Sequence, residues 1–252
     1  MTTQAIVRRP GRNFHEGLTT ARLGRPDHGI MALQHEAYVN ALRGLGLEVH
    51  VLEPLDAFPD GHFVEDTAVV LPEVAVLARP GALARRGEEE AMAPVLDRFR
   101  VMDRIQPPGT LDGGDVLLVE RHLLIGLSQR TNEEGARQLG AVVGRYGYGS
   151  STVPVGEGLH LKSGVNGLGG RRLLITSGFD RCEALAGYER LVVPQGEEYA
   201  ANSLWINGTL IMPAGFPCTR RAVEALGLPI VELDMSEARK MDGGLTCLSL
   251  RL

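Results

Sequence analysis

Five polar residues, Asp66, Asp112, His160, Asn202 and Cys247, open five similar stretches of this chain at separations of 46, 48, 42 and 45 residues. A fixed period of this size marks a repeat architecture, because such units bury together a core that none could bury alone. The pattern within a stretch is hairpin, loop, helix. Apolar runs at 68–71 and 74–77 flank the Pro72-Glu73 turn, and a loop around Arg85 leads to helical spacing at 88–99. The order recurs as 116–119, a turn at 120–122, 123–127, a loop around Arg130 and a helix from Asn132, with Thr131 and Glu134 at capping-box spacing. It returns more loosely over 163–190, where a strand at 172–176 precedes a predicted helix containing Cys182, Leu185 and Ala186. The fourth instance is 203–206, the hairpin signal Asn207-Gly208, 209–212 and a helix at 219–226.

One helix and mixed strands per unit fit neither an all-β propeller nor an all-α solenoid. A closed ring does fit: an α/β fold, a five-bladed propeller with pseudo-fivefold repeats, in one domain spanning 1–252. The innermost strand of each blade then starts near the axis, so the five opening residues are expected to converge there. The two chain ends supply the fifth blade. The N-terminal part reads as a strand at 4–9, a polar loop at 11–26 expected to be mobile, a helix N-capped by Asp27, and a strand at 47–52. The C-terminal part reads as a strand over 245–252 led in by Asp242-Gly243-Gly244. Strand alternation puts Thr246, Leu248, Leu250 and Leu252 on one face and Leu245, Cys247, Ser249 and Arg251 on the other.

Composition narrows the class of function. Against 31 acidic residues stand 26 basic ones with no Lys/Arg-rich run, so no nucleic-acid footprint is present. No stretch approaches the apolar length of a membrane span, and the N-terminal residues lack the apolar region of a signal peptide. Three cysteines, at 182, 218 and 247, are an odd number without a CxxC pair. A soluble protein of a reducing cytoplasm is expected.

Glu65, Asp66, Asp112 and Asp115 aimed at a common axis call for a cation. The set offers one His and one Cys beside hard carboxylates, a poor zinc or calcium shell, so no metal is expected. A guanidinium or amidinium fits better, because its planar fork pairs with carboxylates. Alternation places His160 on a face with Gly158 and Lys162 rather than with Leu159 and Leu161. With Cys247 and Asp112, His160 has the general form of a base beside a nucleophile and an orienting carboxylate.

The segments Phe63-Val64-Glu65-Asp66, Thr110-Leu111-Asp112-Gly113-Gly114-Asp115-Val116-Leu117, Gly126-Leu127-Ser128-Gln129-Arg130-Thr131-Asn132, Gly158-Leu159-His160-Leu161-Lys162-Ser163 and Asp242-Gly243-Gly244-Leu245-Thr246-Cys247 together resemble the dimethylarginine dimethylaminohydrolases. The resemblance runs from about residue 14 to the C-terminus with all motifs in order. These enzymes belong to the guanidino-group-modifying superfamily, whose fold is a five-bladed α/β propeller. The resemblance implies cofactor-free hydrolysis of Nω,Nω-dimethyl-L-arginine or Nω-monomethyl-L-arginine to citrulline and a methylamine. A monomer or homodimer with no nucleic-acid or membrane partner is expected. The resemblance makes Cys247 the nucleophile, His160 the general acid/base and Asp112 its orienting carboxylate. Glu65 and Asp66 become guanidinium binders, and Arg85 and Arg130 the grip on the α-carboxylate. The Leu18 carbonyl and Asp60 are expected to hold the α-amino group, and Met241 to line the pocket. Where some bacterial relatives carry Glu, this chain has Asp112; where the mammalian type has a second Cys, it has Leu248. An arginine or agmatine deiminase and a non-catalytic binding propeller are the alternatives.

Overall fold

In the computed structural model, which describes every residue except Glu157, each repeat opens on a 3-10 turn and not on a strand. The chain starts with strand β1 (Gln4–Arg8), helix α1 (His28–Gly44) and strand β2 (Glu48–Leu52). The turn Val64–Thr67 then precedes β3 (Ala68–Val70), β4 (Val74–Leu77), α2 (Glu88–Leu96) and β5 (Val101–Arg104). Gly113–Asp115 precedes β6 (Val116–Val119), β7 (His122–Leu127), α3 (Glu133–Gly144) and β8 (Gly149–Pro154). Leu161–Ser163 leads into β9 (Val165–Gly167), β10 (Arg172–Ile175) and β11 (Glu189–Val192). Glu198–Ala201 leads into β12 (Leu204–Ile206), β13 (Thr209–Pro213), α4 (Pro217–Glu224) and β14 (Ile230–Leu233). After α5 (Ser236–Arg239), Thr246–Leu248 leads into β15 (Leu250–Arg251).

The strands form five three-stranded sheets, β3-β4-β5, β6-β7-β8, β9-β10-β11, β12-β13-β14 and β15-β1-β2. In every sheet the first pair is antiparallel and the second parallel. The fifth sheet is completed by both chain ends, with Ala5 opposite Arg251 and Ile6 opposite Leu250. The hairpin at Asn207-Gly208 has φ of 47° and 84°, the doubly left-handed geometry of a tight two-residue turn.

Three local expectations change. The terminal strand predicted over 245–252 is a 3-10 turn followed by two strand residues. Its opening residues bend because Cys247 N–H donates to the Gly244 carbonyl (3.2 Å), which strand alternation forbids. The third repeat has no α-helix: Ser177–Phe179 and Glu183–Leu185 are 3-10 turns. Only a short crossover with Gly178 and Gly187 joins β10 to β11, too little to repay helix nucleation. The N-cap of α3 is Asn132, accepting from Gly135 N–H at 2.8 Å, and not Thr131. The Thr131 hydroxyl is engaged elsewhere, accepting from Asp112 N–H at 3.1 Å. Asp27 caps α1 as expected.

Hydrogen bonds tie each pair of adjacent repeats near the axis. Asp66 Oδ1 accepts from Gly114 N–H (2.8 Å) and Asp115 Oδ1 from Leu161 N–H (2.8 Å). Asn166 Nδ2 donates to Ala201 O (2.7 Å), Asn202 Oδ1 accepts from Thr246 N–H (3.2 Å), and Arg251 Nη2 donates to Glu65 Oε1 (2.6 Å). The last bond returns to the first repeat and closes the ring. An axial cavity of about 790 Å³ runs between the first strands of all five repeats, with Glu65, Lys162 and Arg251 among its lining residues. Among the described residues, no helix is long and apolar enough to cross a membrane.

Candidate active site

The 3-10 turns carry the predicted residues because a turn directs consecutive backbone and side-chain groups inward where a strand would alternate them. Asp112 is fully buried, with Oδ1 accepting from Gly81 N–H (2.9 Å) and Oδ2 lying 3.0 Å from His160 Nε2. Asp66 Oδ1 is 3.9 Å from the same nitrogen. Gly114 makes this approach possible, since an added Cβ would fall 2.7 Å from His160 Nδ1 and 2.8 Å from Asp66 Oδ1. Burial by itself would push the imidazole pKa down, but the carboxylates of Asp66 and Asp112 outweigh it and raise it to about 9. His160 is therefore an imidazolium at neutral pH. Potential ligand atoms of Asp66, Asp112 and His160 lie within 4.8 Å of one another. That arrangement has the charge balance of a protonated base between two carboxylates.

Cys247 is partly exposed while its neighbours Thr246 and Leu248 are buried, so of these three consecutive side chains the thiol is the reachable one. Burial of the sulfur, followed by the negative charges of Glu65 and Asp66, pushes its pKa up to about 12. Lys162 acts in the opposite direction. Glu65 Oε1 is shared by Lys162 Nζ (2.6 Å) and Arg251 Nη2 (2.6 Å), whereas Oε2 is buried with no hydrogen-bond partner among the described residues. A buried carboxylate oxygen left open beside a thiol is a ready acceptor for a guanidinium N–H.

The flanking residues are placed less uniformly. Arg130 Nη1 lies 3.5 Å from Asp112 Oδ2 and is also without a hydrogen-bond partner among the described residues. Arg85, by contrast, departs from the expected open grip. It is 5 % exposed and its guanidinium is engaged by Glu88, Asp66 and the Phe63 carbonyl, which leaves one Nη1 hydrogen. Leu18 and Asp60 do meet: Leu18 N–H donates to Asp60 Oδ2 at 3.0 Å, and burial holds the Asp60 carboxyl above its ordinary range. The loop expected to be mobile is anchored, as Asp242 Oδ2 accepts from Thr20 N–H, Thr20 Oγ1 and Thr19 Oγ1. Met241 is 3 % exposed and belongs to the apolar cluster, with Phe63 and Leu245, against which Cys247 packs.

Sequence reasoning left Lys162 without a role, although it lies in the quoted Gly158–Ser163 motif, and it missed the tie of Arg251 to Glu65. The one available signal was position: Arg251 shares the predicted face of Cys247.

No protein-family model matches the chain. The N(G),N(G)-dimethylarginine dimethylaminohydrolase of Pseudomonas aeruginosa is 41% identical over 253 residues, covering 100% of both chains. The Streptomyces coelicolor protein of the same name is 37% identical, covering 99% of this chain and 96% of its own. The solved structure of a Cys-to-Ser variant of the Pseudomonas aeruginosa enzyme complexed with citrulline superposes with a TM-score of 0.98 at 40% identity, covering 100% of both chains. The N-terminal domain of ArgZ, a cyanobacterial arginine dihydrolase, shares the fold with a TM-score of 0.88 at 18% identity, covering 100% of this chain and 97% of its own. Identity at this level over full length places the chain in a family: it belongs to the dimethylarginine dimethylaminohydrolases.

Proposed function

We propose that this chain acts as one catalytic domain that hydrolyses Nω,Nω-dimethyl-L-arginine and Nω-monomethyl-L-arginine to L-citrulline plus dimethylamine or methylamine. The observation that carries the reading is the placement of a partly exposed thiol beside Glu65 and Asp66, whose open Oε2 and buried charge suit a planar cation. Relatives support the reaction class, because the Pseudomonas aeruginosa enzyme is seen with citrulline and a His-to-Gly variant of a dimethylarginine dimethylaminohydrolase as an adduct with S-methyl-L-thiocitrulline.

The α-amino group sits at the Leu18 carbonyl and Asp60, and the α-carboxylate at Arg130 with the remaining Arg85 hydrogen. The guanidinium lies against Glu65 and Asp66. Its positive charge offsets the two carboxylates that hold Cys247 as a thiol, so the proton is released to solvent as the cation arrives. The thiolate attacks the guanidinium carbon and forms a C–S bond. His160, already protonated, gives its proton to the departing dimethylamine as the C–N bond breaks, leaving an S-alkylthiouronium. Neutral His160 then takes a proton from water, the hydroxide adds to the same carbon, and the C–S bond breaks to release the thiolate and O-protonated citrulline, whose hydroxyl proton passes to solvent. Asp112 holds the imidazole throughout.

Formation of the ureido product, citrulline from dimethylarginine, monomethylarginine and arginine or N-carbamoylputrescine from agmatine, tests the assignment, with Cys247→Ser as the control. Turnover confined to the methylated substrates and lost in the variant is expected. Preferential turnover of arginine or agmatine makes the chain a deiminase, and inactivity on all four removes the enzymatic reading.

A further inference from the structure

We infer that Asn202 and Arg251 are positioning residues of the nucleophile, clamping the backbone of Thr246 from both ends. The inference rests on the assignment of Cys247 as nucleophile. Thr246 N–H donates to Asn202 Oδ1 at 3.2 Å, and Thr246 C=O accepts from Arg251 Nη1 at 3.1 Å. That carbonyl belongs to the peptide joining Thr246 to Cys247, so fixing it fixes the plane from which the thiol projects. The same Nη1 also donates to Ser249 O (2.9 Å) and Ser249 Oγ (3.1 Å), so one guanidinium grips the chain on both sides of Cys247.

Two further contacts show that the clamp is built. Asn202 is 5 % exposed and fits against Gly244, where an added Cβ would fall 2.3 Å from the amide carbon. Tyr199, three residues before Asn202, donates from its hydroxyl to the Gly243 carbonyl at 2.8 Å. The turn leading to Cys247 is thus seated on one preformed surface. Arg251 Nη2 meanwhile donates to Glu65 Oε1, so the guanidinium that orients the thiol also orients the carboxylate assigned to the substrate cation. Nucleophile and cation site are spaced by a single rigid fork, which a lysine ammonium could not reproduce at four acceptors. Both side chains act through Thr246 and Glu65 and not on the reacting atoms.

The test uses full-length variants lacking Cys182 and Cys218, with citrulline kinetics, melting curves and the rate of Cys247 alkylation by iodoacetamide. Asn202→Ala is expected to fold, to lose about 10- to 100-fold in kcat, and to change KM little, as for a misplaced reacting group. Arg251→Met is expected to lower kcat and raise KM together, because Glu65 loses a partner as well. Arg251→Lys should recover much of KM through the ion pair with Glu65 while kcat stays low, a split that a purely structural role does not produce. Altered alkylation rates in folded variants support the clamp even where no citrulline forms in the parent protein, which separates this inference from the proposed reaction. Folded Asn202 and Arg251 variants with kcat and alkylation both within twofold of the parent overturn it. So does full recovery of kcat in Arg251→Lys.

Discussion

His160 Nε2 stands 3.0 Å from Asp112 Oδ2 and 3.9 Å from Asp66 Oδ1, so one imidazole is shared by two buried carboxylates. Its pKa, raised from 6.5 to about 9, makes the site a source of pH-dependent stability. For a histidine whose folded pKa is raised, the stabilisation is complete below 6.5 and disappears as pH climbs through about 9. The melting-temperature advantage of the parent protein over His160→Gln should therefore shrink steadily from about pH 6 to about pH 10. An advantage that grows over this range would show that the imidazole is neutral in the folded state. His160→Ala should separately lose about 10²–10⁴ in turnover, as for removal of a general acid/base.

Cys247 is expected to be a thiol in the ligand-free protein, because burial and then Glu65 and Asp66 push its pKa to about 12. Ultraviolet titration of the thiolate, with Cys247→Ser subtracted, should show negligible ionisation at neutral pH. A non-reactive guanidinium ligand should move the apparent pKa down, since it neutralises the charges that raised it. An unchanged value with saturating ligand would sink substrate-assisted ionisation.

Much of this arrangement was legible before any coordinates. The period placed Asp66, Asp112, His160, Asn202 and Cys247 in equivalent positions, because each lies in or flanks the opening 3-10 turn of its repeat. What it could not give was the element's shape. Side chains of the neighbouring repeat hold the backbone of these 3-10 turns, as Asp115 does for Leu161 and Asn202 for Thr246. Such bonds join residues more than 40 positions apart and leave no trace in local propensity. The same holds for Glu65 and Arg251, 186 residues apart. Arg85 is a local case, its charge absorbed by Glu88 three residues on. Motifs named the groups; only the closed ring decided which of their atoms remained open.

The loop holding Leu18 is fastened to the turn before the nucleophile. Three donors from Thr19 and Thr20 converge on Asp242, whose φ of 57° holds its carboxylate in place. Asp242→Gly removes the acceptor while tolerating the left-handed backbone. Exposed hydrogen bonds of this kind contribute about 0.5–1.5 kcal/mol each, so KM should rise by about tenfold or more. Turnover at saturating substrate should fall much less. If KM holds steady and kcat drops, the contact orders the Cys247 turn and not the loop.

Gly113 tests how closely the first two repeats approach. A Cβ built there would fall 1.9 Å from the Glu65 carbonyl and 2.9 Å from that of Ala68, and both neighbours are backbone. Neither can swing aside, so Gly113→Ala must displace the turn carrying Glu65 and Asp66. Overpacking of this kind destabilises by about 1–3 kcal/mol. Activity should fall further than stability, because the two displaced carboxylates face both the thiol and the imidazole. Gly167, in β9, has nothing within 4 Å of its built Cβ, and Gly167→Ala should stay within about 0.5 kcal/mol of the parent. Denaturant unfolding of both variants, alongside their citrulline production, compares a glycine required for approach with one that is not. Equal stability of the two would mean that the ring yields at Gly113, and that the spacing of Glu65 from Asp112 is not set by contact between these turns.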